Sequence, residues 1–421
     1  MSNKSDAGFF YGYIIVLAAF LIAIVVEGMI FTFGVFFEPL LKEFGWTRAL
    51  TAGAFSVSSI VNIPVAIMAG RLTDRFGPRQ VLTACGFFFG AGYVLMSRLG
   101  TIWQLYLFYT MVGVGLSLYW IPVISLAPRW FVQRRALMMG IIASGIGVGQ
   151  LIFPPVVNWL VYTYDWRVSM LMAGIVCMVL ITGSAQLLRR EPEQMGLSPY
   201  GTVTEQKEAV AATGKMYSLG QAARTREFWL LSVLFFVWLI CLSFVIVHSV
   251  IYAIGIGMSP AAAASLLAII GAMGIVGRLL FGRLSDIFGM KLSLIISQVL
   301  MLAAFLFPTL GGGIWHLYLF AILFGLSYGT FEILHSPIIA DMFGLRSLGM
   351  ISGVVVTIGS IGFMVGPVIF GYIFDVNNSY QLALVLTVVM AFIALVFAVI
   401  LPLKTQPRQP TGVPVKEEKL G

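Results

Sequence analysis

Charge is what this sequence has least of. Only 10% of its residues are charged and 60% are hydrophobic, where a soluble chain carries about a quarter charged residues. That shortage excludes a soluble globular protein and leaves a membrane protein. Cysteine and histidine are scarce as well, at three each. Cys85, Cys177 and Cys241 fall singly inside apolar runs without CxxC spacing, which excludes a disulfide framework or thiolate metal site and makes them small packing residues. Enzyme signatures are missing too: no GxSxG, HExxH or P-loop occurs, and no polar stretch is long enough to hold a nucleotide. Catalysis and primary pumping are thereby excluded, no cofactor or metal is expected, and any work is driven by solute gradients.

What is present is apolar length. Windows of about 20 apolar residues, the length that crosses a bilayer, fall at about 11–37, 48–70, 80–98, 101–127, 136–161, 166–188, 227–254, 260–282, 291–310, 314–340, 347–372 and 379–402. The first is longer than a signal h-region, and Glu27-Gly28 is no small-x-small cleavage site, so a retained helix is expected. The 45 glycines suit helices that approach closely in lipid.

The chain also repeats itself. "GRLTDRFG" starts at Gly70 and "GRLSDIFG" at Gly282, an offset of 212 that also carries "IWQLYLF" (102–108) onto "IWHLYLF" (314–320), Arg134 onto Arg346, Gly147 onto Gly359 and Pro155 onto Pro367. Two copies of a six-span unit in the same chain direction are implied. The expected organisation is a half at 1–188, a polar linker at 189–226 with one amphipathic turn near "SLGQAARTREFW", a second half at 227–403 and a disordered tail at 404–421.

Lys and Arg set the topology. Of 25, four (Lys42, Arg48, Arg98, Arg167) fall in loops of one side and Arg278 lies within a span, leaving the other side and the tails with the remainder. The positive-inside rule then puts both termini in the cytoplasm of a plasma (inner) membrane. The net charge of +8 is loop charge beside anionic lipid headgroups, not a nucleic-acid surface. A monomer is expected.

The repeated motif ends the second span of each half on the basic side. Asp74 and Asp286 stand near the start of the next helix, where its dipole and neighbouring Arg favour a carboxylate. With Arg75, Arg79, Arg134 and Arg135 they make a candidate cytoplasmic gate, an ionic latch that breaks when the halves rock apart; a plain positive-inside turn is the alternative.

"GRLTDRFGPR" resembles the loop signature of the major facilitator superfamily. "YGYIIVLAAFLI" with "FTFGVFFEPLLKEFGWTRA", and "APRWFVQRRALMMGIIASGIGVGQLIFPP", resemble signatures of its monocarboxylate transporters and of their relatives, the oxalate/formate antiporters. The likeness covers about residues 10–403. It implies an all-α fold of twelve transmembrane helices, two parallel six-helix halves around a central cavity, and a small carboxylate as substrate.

Ionisable groups inside spans cost about 2.5–3.5 kcal/mol on insertion scales and are functional candidates by default. Arg278 lies eight residues before Asp286, about 12 Å deeper at 1.5 Å per residue. A guanidinium there suits a carboxylate fork, or it snorkels to the surface. The resemblance gives it the carboxylate-binding role. Two family positions differ: a first-helix Lys is Phe31 here, and an Asp four residues before the Arg is Gly274. With that coupling pair absent, Glu27, Glu332 and His248 become candidate proton carriers. Each has a structural alternative: a hydrogen bond to a neighbouring helix for Glu27 and His248, a charge partner for Glu332. The eleventh span also lacks the Lys of the oxalate/formate relatives. One buried cation balances one carboxylate, so a lactate- or pyruvate-like monocarboxylate is expected together with a proton.

The offset maps Tyr119 onto Phe331 and Asn62 onto Gly274, while Tyr328 and Glu332 lie four residues apart on one face of the tenth span. The resemblance implies that the fourth and tenth helices line the cavity, which makes Tyr119, Asn62, Phe31, Tyr328, Phe331 and His248 candidate cavity residues beside Arg278, with plain aromatic packing the alternative for Tyr119. The expected function is proton-coupled symport; carboxylate exchange is the alternative, and a multidrug exporter is disfavoured by the basic centre.

Overall fold

The computed structural model describes residues 10–131, 134–200, 217–311, 313–344 and 347–403; Arg346 and the tail lie outside that set, as do the side chains of Arg135 and Asp286. The chain is helical: α1 (Gly12–Ile30), α2 (Phe33–Phe44), α3 (Arg48–Phe76), α4 (Pro78–Met96), α5 (Ile102–Ser117), α6 (Trp120–Trp130), α7 (Arg135–Tyr164), α8 (Trp166–Leu187), α9 (Leu219–Ala222), α10 (Arg226–Gly255), α11 (Pro260–Phe288), α12 (Met290–Thr309), α13 (Trp315–Phe343), α14 (Leu348–Asn377) and α15 (Gln381–Ile400). The helices α1 with α2, and α5 with α6, each form one crossing, so the chain makes two six-span halves.

Among the described residues 11 segments are long and apolar enough to cross a membrane. The expected third span, α4, is the exception in composition although it is a continuous helix of 19 residues. It opens on Pro78, Arg79 and Gln80, and this polar first turn lowers its mean hydropathy. The three cysteines are free and buried.

The repeated motif has a backbone explanation. Its closing residues, Gly77 and Gly289, sit at φ 83° and 89°, each ending one helix and starting the next. A side chain is disfavoured in that left-handed region, so both copies keep glycine to turn the chain with no intervening loop. The break between α5 and α6 follows from Pro122, which cannot donate to the carbonyl of Leu118 four residues earlier. Helix geometry lapses at Leu118 and Tyr119.

The described ends of the linker are tied to the helices. Ser218 caps the short α9 reciprocally with Gln221. Tyr200 N donates to Trp130 O at 2.9 Å, beside Phe131, and Tyr217 N donates to Phe343 O at 3.1 Å. Phe131 and Phe343 are related by the same 212-residue offset, so the linker's two described ends meet the halves one residue apart in the repeat.

The halves meet along two seams, α3 with α14 and α7 with α11, supplemented by α2 against α10. Glycine brings these helices close: at Gly34 an added Cβ would lie 2.7 Å from Ile246 O. The end where α1 begins and α15 finishes is called the basic end. At the opposite, far end the seam is polar: the Asp375 carboxylate accepts from the backbone N of Arg48 at 2.9 Å and of Ala49 at 2.8 Å. No described ion pair joins the basic ends of the two halves. Asp74 lies 4.0 Å from Arg129 of its own half. Arg79 donates to Gln186 at 2.9 and 2.6 Å, Arg75 lies over the Phe76 ring, and the exposed Arg134 precedes α7 at φ 61°. The latch expected of Asp74, Arg75, Arg79 and Arg134 is thus not formed between halves in this structure, which is closed at the far end.

Candidate functional site

The interior of the helix bundle gathers the polar groups that the apolar spans otherwise exclude. Arg278 reaches it from α11, with a side chain only 9% exposed. Its Nε donates to Glu332 Oε2 of α13 at 3.1 Å, and Nη2 donates to the same oxygen. The remaining terminal nitrogen, Nη1, is buried without a partner. Glu332 is 30% exposed, so its second oxygen has room for water.

Glycine lets this pair form across helices. The backbone of Gly329 lies against Gly274, where an added Cβ would fall 2.0 Å from the Gly274 carbonyl oxygen. That contact draws α13 onto α11 and sets Glu332 beside Arg278. At Gly274 itself a Cβ would stand 3.3 Å from the Tyr328 ring, so tyrosine fills the space beside that glycine. The carboxylate partner of the arginine comes from α13.

Glu27 of α1 is half-buried, and its electrostatic neighbours are Glu332, Tyr119 and Arg278. Tyr119 stands beside it, yet the buried hydroxyl has no hydrogen bond of sound geometry. The Tyr328 ring lies 5.4 Å from the guanidinium and 6.3 Å from Phe31. Trp238 of α10 stacks on Phe331 at 4.4 Å and lies parallel to Tyr328 at 5.9 Å. An aromatic wall therefore flanks one buried cation and two carboxylates.

Of the residues expected from the sequence, Arg278, Glu332, Glu27, Tyr119, Tyr328, Phe331 and Phe31 come together. Asn62 is half-buried on α3 and makes no described bond to the cluster. His248 is apart: it lies ten residues beyond Trp238 on α10, about 15 Å along the helix. It is fully buried, with Nδ1 at 2.9 Å from Tyr380 Oη and Nε2 at 2.9 Å from Pro367 O. With both nitrogens engaged, His248 ties α10 to α14 and to Tyr380 ahead of α15, and its ring packs on Phe37 of α2 at 5.6 Å. His335, one turn from Glu332, binds its carbonyl at 2.7 Å.

Two residues of the site were not singled out from the sequence. Gln150 of α7 is wholly buried and donates from Nε2 to Tyr328 Oη at 3.0 Å, which joins the two halves beside Arg278. An amide within the apolar run "GIGVGQLIFPP" was the available signal. Trp238 carried none beyond its span.

One turn before Gln150, Gly147 covers the arginine from the other half. A Cβ there would lie 2.4 Å from Ile275 Cγ1 and 3.1 Å from Arg278 Nη1. Gly147→Ala is expected to destabilise this packing, since overpacking costs about 1–3 kcal/mol. Gly140→Ala, with nothing within 4 Å of its Cβ, serves as the control. Thermal unfolding midpoints of the two purified variants check this.

The family model for the Major Facilitator Superfamily matches residues 19–292 and 257–420. The chain is 25% identical to mouse (Mus musculus) monocarboxylate transporter 12, over 99% of this chain and 90% of that protein. It is 25% identical to the oxalate:formate antiporter of Oxalobacter formigenes, over 92% and 90%. Among solved structures, a bacterial homologue of the human lysosomal transporter Spinster, inward-facing and unoccupied, superposes with a TM-score of 0.70 at 18% identity, covering 95% of this chain and 98% of that one.

Proposed function

The chain belongs to the Major Facilitator Superfamily, and from that premise we propose that this multi-pass membrane transport protein carries small monocarboxylates of the lactate and pyruvate class together with a proton. Relatives named as monocarboxylate transporters and an oxalate:formate antiporter support a carboxylate cargo. The observation that carries the finer reading is the charge set inside the helix bundle. Glu27 and Glu332 surround a single Arg278. With both carboxylates ionised the three groups carry one net negative charge, and an entering anion would raise it to two. Uncompensated buried charge costs several kcal/mol. Protonation of Glu332 cancels the charge that the anion adds, holding the total at one negative, and frees the Nε–Nη2 edge of Arg278 for the substrate carboxylate, so proton and anion bind as a pair.

A dicarboxylate would bring a second charge that no cation of the eleventh span meets, so monoanions are favoured. The basic end is assigned to the cytoplasm with both termini, in the inner membrane and as a monomer. Alternating access then exchanges the far-end seal for one at the basic end, where Asp74 and Asp286 stand.

Uptake of radiolabelled lactate into proteoliposomes tests the reading. An electroneutral pair escapes the membrane potential, about 2.3 kcal/mol per charge per 100 mV, so uptake accelerates when the outside is acidified. Glu332→Gln, neutral at every pH, is expected to remove that acceleration while leaving exchange of labelled for unlabelled substrate. Lactate uptake indifferent to the pH gradient but driven by internal carboxylate identifies an exchanger, like the oxalate:formate relative, and ends the symport assignment. Oxalate competing as well as lactate ends the monocarboxylate assignment.

A further inference from the structure

Two buried polar atoms with opposite needs remain beside the substrate site. Arg278 Nη1 is a donor without an acceptor, and Gln150 Oε1 is an acceptor without a donor. Gln150 stands on α7, and Nη1 reaches from α11 to the turn of α7 just before it. Gly147, three residues before Gln150, lies against Nη1, and the amide's other end is fixed on Tyr328, whose ring faces the guanidinium. Gln150 is held by that bond, by full burial, and by Gly271 of α11, where a Cβ would lie 2.7 Å from Gln150 Cβ. Buried polar atoms without partners are rare and call for an explanation.

We propose that Gln150 is the specificity-determining residue for a hydroxyl at C2 of the substrate, making 2-hydroxy monocarboxylates the preferred cargo. The inference rests on the monocarboxylate reading and deepens it. A carboxylate offers acceptors only, so it satisfies Arg278 and the Tyr119 hydroxyl but leaves Gln150 Oε1 unpaired. A 2-oxo group adds one more acceptor and leaves it unpaired too. A hydroxyl oxygen both accepts and donates, and so bridges Nη1 to Oε1. A site that keeps a buried acceptor for a substrate O–H discriminates against analogues lacking it, because the acceptor is then left bare.

The test is competition binding to the purified full-length protein at one pH, with lactate, pyruvate and propionate as probes. Wild-type protein is expected to prefer lactate to propionate and to pyruvate by about tenfold or more, tenfold being 1.4 kcal/mol. Gln150→Met, close in volume but with no oxygen, is expected to bring the lactate-to-propionate ratio to about one, while Gln150→Asn gives an intermediate ratio. Reading a ratio removes any loss shared by the acids, including one that follows from releasing Tyr328. Three results overturn the proposal: a wild-type ratio near one, a ratio unchanged in Gln150→Met, or a selective loss of pyruvate, which would show the amide presenting its N–H to the cavity. Binding of none of the three acids defeats the monocarboxylate reading itself, and the Gln150 assignment with it.

Discussion

Arg278→Ala is expected to weaken lactate binding by about a hundredfold or more, because truncating one partner of a buried, hydrogen-bonded charge pair costs about 2–5 kcal/mol. The loss is larger here than at a surface arginine, because every other Lys or Arg lies near a span end or outside the spans. Arg278→Lys keeps the charge but not the fork: a single ammonium cannot present Nε and Nη2 together to one carboxylate oxygen, as Arg278 does with Glu332. It is expected to bind substrate weakly, not to restore it. Removing the cation leaves Glu332 facing Glu27 with no counter-charge, so Arg278→Ala with Glu332→Gln is the better-folded control. Both proteins are compared by direct binding to monodisperse samples. Lactate affinity at the wild-type level in either would show that the substrate carboxylate is held elsewhere.

How much of this was legible in the sequence depends on what each feature requires. The 212-residue offset, the spans and the positive-φ glycines at 77 and 289 are local, and the chain writes them twice. Arg278 stood out because an apolar span makes any cation conspicuous. The partner of Arg278 did not: Glu332 lies 54 residues away, and it reaches the guanidinium only because Gly274 and Gly329 let two helices touch. Spacing alone left Glu332 open between charge partner and proton carrier. His248 misled for a related reason. Its titratable ring suggested a cavity group, but both nitrogens are consumed by Tyr380 and Pro367 from distant spans. The gate at Asp74 was sought at the basic end, whereas the structure is joined at the far end. A sequence that serves both arrangements in turn does not announce which contacts are made at one moment.

The far-end contact is the one whose loss changes that choice. Asp375 on α14 accepts from the first backbone N–H groups of α3, those of Arg48 and Ala49, and so caps a helix of the opposite half with a full negative charge. Gly371, one turn earlier, lets the backbones meet: a Cβ there would lie 2.8 Å from Ala49 N. Charge-assisted bonds contribute about 1.5–3 kcal/mol each, comparable to the few kcal/mol that separate two conformations of one protein. Asp375→Ala is therefore expected to open the far end, and Asp375→Asn, which keeps one acceptor oxygen, to open it less. Phe55→Cys provides the reporter, since Phe55 is 3% exposed and packs on Phe363 across the same seam at 5.1 Å. The native cysteines are all buried and give little background. Labelling of this cysteine by an impermeant maleimide from the far side should rise about tenfold or more in Asp375→Ala, tenfold being 1.4 kcal/mol in the opening equilibrium. Arg48→Ala separates the backbone cap from the arginine side chain, whose guanidinium lies 3.4 Å from the Phe374 ring centroid. A cation–π contact contributes about 0.5–2 kcal/mol, and the N–H donors survive that substitution, so labelling should rise less than in Asp375→Ala. Equal labelling of Asp375→Ala and the parent would show that apolar packing along α3 and α14 keeps the far end shut without the carboxylate.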